Sequence, residues 1–355
     1  MKESSVAFFK GLLALPGPSG YEAAPAKGWR EEAQAFADRV WADVSGNSFA
    51  VVNPEGEPRV MLAGHIDEIG LMVNHIDDDG FLYFSAIGGW DPEIIVGQRV
   101  EILTREGPIP GLVGKKAIHL QEKDDRDRAS KIKDLWIDIG AKDGEDARQR
   151  VRVGDAAVLG VGVVELPNGR IASRSIDNRV GALVVLEALR RLAADRPSAS
   201  AVAVATAQEE IAAAGGGARS GAFGLDPQVA IVVDVTHATD HPGAEKKGHG
   251  DHRLGGGPVL SRGSAVNPVL FERMAEVADR EGIPYSIEAS PSRTSTDADS
   301  IHTARMGVAT ALVSVPNRYM HTPNEMVALE DLDRAAELIA ATVRTFTVAD
   351  DFVPV

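Results

Sequence analysis

Four segments are apolar at almost every position: "RVMLAG" (59–64), "SAVAVATA" (200–207), "VAIVVDV" (229–235) and "VATALVSVP" (308–316). A strand that is apolar along its whole length must be covered on both faces, so these four segments belong to a sheet sandwiched by helices. The segments between them supply the helices. "NRVGALVVLEALRRLAA" and "NPVLFERMAEVADREG" read as helical, and the last segment sets Leu329, Leu332, Ala336, Ile339, Val343 and Phe346 along one face. Two more helices are expected near the start, at Ser5–Leu15, stopped by "PGPSG", and at Ala24–Ala37. "SFAVVN" reads as a further strand of this part of the chain.

From about Leu71 the texture changes. "LMVNHI", "FLYFSAI", "QRVEILT", "LWIDIG", "DAAVLG" and "VGVVEL" are short β-rich runs, separated by turn signals such as "DDDG", "REG", "KDGED" and "PNG". Many short strands without long helices indicate a small barrel or sandwich. Among them "QEKDDRDRASKIK" reads as an exposed, mobile, charged loop. After Ile171 the helix–strand alternation returns. The expected organisation is a discontinuous α/β domain, 1–70 plus 164–355, interrupted by a β-domain at 71–163. A length of 355 residues suits about two domains.

The formal charge of −15 and a pI near 5.1 argue against nucleic acid or an anionic membrane as partner. There are no cysteines, so disulfides and thiolate metal sites are excluded and any metal must be held by His, Asp or Glu. Lys10 interrupts the short apolar stretch near the N-terminus and no small-residue cleavage site follows. That stretch reads as a surface helix, and a soluble cytoplasmic protein is expected. No run approaches the length of a membrane span.

Acidic and imidazole side chains recur at the ends of the buried runs. "VMLAGHIDEIG" places His65 and Asp67 just past a strand, and "ATAQEE" ends another with Glu209 and Glu210. Asp234 ends "VAIVVD", Asp177 precedes a helix in "SRSIDNRVGA", and His321 follows a strand in "VSVPNRYMHTPNE". Ligands of open α/β sheets bind beyond the carboxyl ends of the strands, where these positions would converge. The donor set suits two divalent metals. His65 and Asp234 are expected on one ion, Glu210 and His321 on the other, with Asp177 as the bridge. Successive side chains do not easily reach one ion from extended backbone, so Glu209 is left to handle protons. Asp67 is placed to accept the other imidazole N–H of His65. A divalent metal lowers the pKa of bound water to about 7, and Glu209 would take its proton and return it to a leaving amine. The expected reaction is amide hydrolysis without a covalent intermediate.

At these residues the chain closely resembles the di-zinc aminopeptidases of clan MH, specifically the glutamyl/deblocking family that includes the TET and cellulase-M-like proteins. The matching segments are "PSGYE", "GHIDEIG", "LWIDIGA", "IDNRVG", "QEE", "VDVTHATDHPG", "STDA" and "MHTPNEMV". They stand in the family's order and span nearly the whole chain. The resemblance implies a mixed sheet sandwiched by helices, two metal ions per subunit (zinc, with cobalt as the alternative) and Glu209 as general acid/base. It also implies short peptide substrates and an inserted β-barrel used in oligomerisation, in a homo-oligomer that is a tetrahedral dodecamer in many members. "EEIAAAGGGARSG" is looser and richer in Ala and Gly than the family's segment after the glutamate pair.

Other readings of the same residues exist. A deacylase or carboxypeptidase would use the same metals, and a non-catalytic assembly scaffold would use none. A glycoside hydrolase would need the paired carboxylates but has no role for the histidines. "GLVGKKA" lacks the spacing and hydroxyl of a P-loop, and neither H-E-x-x-H nor G-x-S-x-G occurs. His237, His241, His249 and His252 form a dense local set, read here as a solvated or site-adjacent loop, with a separate metal site as the alternative. His75, His119 and His302 are read as structural, and Ser295–Ala298 as a lining of the substrate pocket.

Overall fold

The computed structural model describes residues 1–122, 128–212 and 215–354. Two short helices open the chain, α1 (Glu3–Ala14) and α2 (Ala23–Ala33). The second is shorter than the expected Ala24–Ala37. A mixed eight-stranded sheet follows. It contains β1 (Arg39–Ala42), β2 (Ser48–Val52) and β3 (Arg59–His65) at one end of the sequence. The other five strands come late: β12 (Ser200–Thr206), β13 (Val229–His237), β14 (Val259–Gly263), β15 (Ser286–Ser290) and β16 (Ala309–Asn317). The spatial order is β1-β2-β12-β3-β13-β16-β14-β15. Strands β12, β3, β13 and β16 run parallel, and they are the four apolar segments.

The two-residue period of these strands divides the core. Val60 and Leu62 point to the face covered by α1, α5 (Ile176–Ala194), α8 (Pro268–Glu281) and α10 (Leu329–Arg344). Met61 and Ala63 point to the other face, under α6 (Gly216–Leu225) and α9 (Ala298–Ile301). In β12 the alanines 201, 203 and 205 face α5, while Val202 and Val204 face α6. Small side chains on the α5 side let that helix sit close to the sheet. Gly64 shows how close: a Cβ built there would stand 2.4 Å from the carbonyl carbon of Gly181 in α5. This approach brings the start of α5 beside the end of β3.

The β-rich middle of the chain closes on itself as a barrel. Its strands are β4 (Gly70–Ile76), β5 (Leu82–Ile87), β6 (Arg99–Thr104), β7 (Gly107–Gly114), β8 (Trp136–Asp138) and β9 (Ala156–Leu159), in the order β4-β5-β8-β7-β6-β9. Alternate residues fill it, among them Leu71 and Val73, Leu82 and Phe84, and Val100 and Ile102. Two short helices belong to this part, α3 (Pro92–Ile95) and α4 (Gly144–Arg150); a third, α7 (Lys246–His249), lies in the loop after β13. "VGVVEL" does not enter the barrel. Its last three residues form β10 (Val164–Leu166), which pairs with β11 (Arg170–Ser173) and, beyond it, β17 (Glu325–Ala328) in a separate small sheet. Of the charged stretch 121–133, residues 123–127 lie outside the described residues, as do 213–214 in the Ala/Gly stretch after the glutamate pair.

Candidate metal centre

Strand β3 is flanked by β12 on one side and β13 on the other, so the chain switches direction across the sheet at β3. The crevice outside the carboxyl ends at such a point is where α/β sheets bind ligands. His65 ends β3, and Asp234 stands near the end of β13. Glu209 and Glu210 occupy the turn after β12, Asp177 the kinked start of α5, and His321 the loop after β16. Gln208, Ser175 and His321 all adopt left-handed backbone, with φ of 61°, 60° and 59°. Such conformations cost on the order of 1–3 kcal/mol each and persist where surrounding contacts hold them.

The structure brings all the sequence-identified residues together. His65 Nε2 lies 3.2 Å from Asp177 Oδ1, 3.8 Å from Glu209 Oε2 and 3.9 Å from Asp234 Oδ1. His321 Nε2 lies 3.4 Å from Asp177 Oδ2 and 3.3 Å from Glu210 Oε2. The two oxygens of Asp177 therefore face different histidines. Single ligand atoms of His65, Asp177 and Glu210 fall within 4.8 Å of one another. Among the described residues this is the only His/Asp/Glu group of such compactness. His237 and His249 pack ring against ring at 6.3 Å, and His252 is buried with Nδ1 2.8 Å from Ser286 Oγ. His241 packs on Tyr319 at 5.9 Å, so among the described residues the four histidines do not converge on one point.

Asp67 stands beside His65, its Oδ1 3.3 Å from Nδ1. Burial lowers the His65 imidazole, but Asp177 and Asp67 outweigh it and raise it. Asp67 also accepts the N–H of Glu209 at 3.1 Å and of Glu210 at 3.2 Å, and the Ser19 hydroxyl at 2.6 Å. Glu325 has a parallel role that sequence reasoning missed. Buried beneath the cluster, it accepts the N–H of Asp177 at 2.9 Å and of His321 at 2.8 Å. A signal existed, since Glu325 is a lone carboxylate at the head of the apolar run "MVAL", four residues after His321. Asp297 of "STDA" is also buried and accepts a hydrogen bond from the Thr206 hydroxyl at the end of β12.

The electrostatics describe a crowded anionic pocket. Burial raises Glu209, and Asp234, Asp297 and Glu210 add to this against the pull of His65, leaving it at about 10. Burial and Asp177 likewise raise Glu210, and burial raises Asp234. Burial lowers the His321 imidazole, but Asp177 and Glu210 outweigh it and push it up to about 11. Asp177 is held well below its usual range: burial opposes ionisation, and His321 and His65 overcome it. Glu210 Oε1 is buried without a hydrogen-bond partner. A surplus of buried carboxylates, two imidazoles and an orphaned oxygen at one point fit a divalent cation. Such a charge would offset the mutual repulsion and engage that oxygen.

A cavity of about 430 Å³ opens over the cluster, lined also by Thr236, Glu288, Ser290 and Thr294. It shares Glu209 and Glu210 with a larger groove of about 1560 Å³, lined further on by Phe223, Ser295 and Asp297. Gly88 and Gly89, just after β5 of the barrel, approach the cluster closely. A Cβ at Gly89 would stand 3.3 Å from His321 Nδ1, and one at Gly88 3.5 Å from Glu210 Cβ.

Residues 46–338 match the family model described as M42 glutamyl aminopeptidase. The lysyl aminopeptidase of Pyrococcus furiosus is 36% identical over 345 residues, covering 96% of this chain and 97% of its own length. A TET aminopeptidase from a marine sediment archaeon of the Thaumarchaeota has a similar structure, with a TM-score of 0.91 at 31% identity over 97% of this chain and 96% of that one. The TET1 peptidase of Pyrococcus horikoshii, which can assemble into a tetrahedron or a large octahedral shell, gives a TM-score of 0.84 at 29% identity over 96% of this chain and 100% of that one.

Proposed function

The chain belongs to the M42 glutamyl aminopeptidase family, and we propose that it removes N-terminal residues from short peptides with two divalent metal ions bound in the His65–His321 cluster. It is an aminopeptidase, a hydrolase of peptide bonds, as are the relatives it matches over nearly its whole length. Those relatives do not favour the deacylase and carboxypeptidase alternatives.

The observation that carries the two-ion reading is the Asp177 carboxylate, with one oxygen toward His65 and the other toward His321. His65 and Asp234 would hold one ion, Glu210 and His321 the other, with Asp177 shared. Zinc is the expected metal and cobalt the alternative, since the donors are nitrogen and carboxylate oxygen only. When bound, such ions lower the pKa of a coordinated water to about 7 and polarise the scissile carbonyl. Glu209 is the general base and then the general acid. Its carboxylate stands 3.8 Å from His65, at the edge of the cluster and facing the cavity. It takes a proton from the attacking water and hands it to the departing amine. Asp67 and Glu325 fix the backbone of Glu209, Glu210, Asp177 and His321.

We assign the barrel a role in self-association. Leu112, Ile118 and Leu120 are exposed apolar residues on or just after its strand β7, and the relative described above assembles into closed shells. A homo-oligomer, up to a tetrahedral dodecamer, is the proposed state, working in the cytoplasm. Among the described residues no helix is long and apolar enough to cross a membrane. The test is a panel of aminoacyl anilides and of one peptide with free or acetylated N-terminus, assayed with Zn²⁺, Co²⁺ or chelator. Metal-dependent hydrolysis that requires the free amine is the expected result, and preference for the acetylated peptide would overturn the assignment. Light scattering reads the assembly.

A further inference from the structure

Strand β15 is the outermost strand of the eight-stranded sheet and, among the described residues, pairs with β14 alone. Two hydrogen bonds fix the phase of that pairing. Ser286 N–H donates to the Pro258 carbonyl at 3.1 Å, and Ser264 N–H donates to the Ser290 carbonyl at 2.8 Å. In a parallel ladder alternate residues bond to the same neighbour, so 286, 288 and 290 turn their backbone groups inward to β14. The N–H and C=O of Ile287 and Ala289 then point outward, away from the sheet. Both residues are exposed, Ile287 at 47%. A row of unpaired backbone groups is a template for another strand, and natural sheets usually blunt such edges with charge, proline or a covering element. Here the outward positions carry Ile and Ala.

The edge also leads into the catalytic cavity. Glu288, Ala289 and Ser290 line the same cavity as His65, Asp177 and Glu209. Pro291, which lacks an N–H, follows directly and ends the strand at the cavity wall. A peptide with its amino end at the proposed metal centre shares this cavity with the end of an exposed edge strand.

We propose that the edge of β15 is the docking rail for the peptide substrate. The chain on the carboxyl side of the scissile bond lies extended along Ile287–Ala289 and adds a strand to the sheet by backbone hydrogen bonds. Recognition of this kind reads main chain, not side chains, so it supports peptides of varied sequence and favours longer ones over single aminoacyl derivatives. The proposal rests on the aminopeptidase reading, and its test separates the two.

Wild-type enzyme is assayed on an aminoacyl anilide, on a pentapeptide with the same first residue, and on versions of the pentapeptide N-methylated singly at each bond after the first. The Ala289→Pro variant is assayed on the anilide and the parent pentapeptide. Proline at an outward edge position removes the N–H without breaking the inner ladder. The expected result is that N-methylation at alternate bonds lowers kcat/KM about three- to tenfold, the size of a lost net hydrogen bond. In Ala289→Pro the ratio of pentapeptide to anilide kcat/KM falls by a similar factor. If the variant loses activity on both substrates alike, the N-methyl series on wild type decides. A series with no alternation, or an unchanged ratio in an active variant, overturns the rail. Failure of wild type to cleave the anilide would instead strike the aminopeptidase reading.

Discussion

Asp67 Oδ1 accepts the backbone N–H of Glu209 at 3.1 Å across 142 positions of sequence. Its second oxygen takes the next N–H, that of Glu210, and the Ser19 hydroxyl. One fully buried carboxylate thus ties the end of β3, the turn after β12 and the loop before α2 into a single unit. That unit carries both the proposed proton shuttle and a proposed metal ligand. Gln208, immediately upstream, sits in left-handed backbone that those bonds hold in place.

The Asp67→Ala variant should therefore lose more than one hydrogen bond. Without the anchor the turn relaxes and Glu210 leaves its place, so metal affinity falls about 10–100-fold, the usual effect of removing a group that orients ligands. Titration calorimetry on chelator-treated protein measures it. Unchanged affinity would show that Glu210 is positioned by something else.

Glu209→Gln keeps the shape of the side chain and removes its ability to carry a proton. The expected outcome is a drop in kcat of about 10²–10⁴-fold, with metal content per subunit unaltered by elemental analysis. Loss of metal along with activity would make Glu209 a ligand and not a shuttle.

Chelation should abolish activity, and Zn²⁺ or Co²⁺ should restore it. The same treatment should lower the Tm, because buried carboxylates left facing each other destabilise the fold. An ion at 100 times its Kd adds about 2.7 kcal/mol to stability. Differential scanning calorimetry with and without added metal reads the shift, and an unmoved Tm would argue that the cluster binds no ion.

The barrel presses on the centre through two glycines. Gly88 has a φ of +74°, and a Cβ there would stand 2.5 Å from Ile69 Cγ2. At Gly89 the neighbour is His321 Nδ1, 3.3 Å from the same construction. Gly89→Val should displace His321 and lower kcat/KM more than tenfold, while the circular dichroism spectrum stays that of the wild type. Full activity in that variant would show that His321 has room to move.

Glu68 tests the frame beneath the site. It is buried, pairs with Arg174 and with the fully buried Arg179 (2.9 Å), and accepts the Gly17 N–H at 2.9 Å. Glu68→Ala leaves two guanidinium groups short of a counter-charge and should destabilise the protein by about 3–5 kcal/mol. Urea unfolding monitored by tryptophan fluorescence gives the value.

The elements that sequence alone failed to reveal share a cause. Strand β7 contains Pro108, Pro110 and two flanking glycines, composition that signals a turn, yet its residues 107–112 pair with the whole of β6. It tolerates the prolines because β8 pairs only with Leu112–Gly114, which leaves the proline half an edge. "VGVVEL" has the texture of the barrel strands, but its partner is β11. Glu325 looks like an ordinary polar residue at a strand start and becomes a buried anchor only once α5 brings Asp177 above it.

What the chain's order of residues determined was local: which runs are apolar on both sides, which segments have helical period, and which acids and histidines follow a buried strand. Those properties depend on neighbours within a few positions, and they mark the sheet and the candidate ligands. Only the tertiary structure decided which oxygen of Asp177 faces which imidazole, that Asp67 and Glu325 hold backbone, and that β15 is an open edge beside the cavity. These are relations between atoms far apart in sequence, set by how closely α5 packs on β3 and by where the sheet stops. No local pattern encodes such distances.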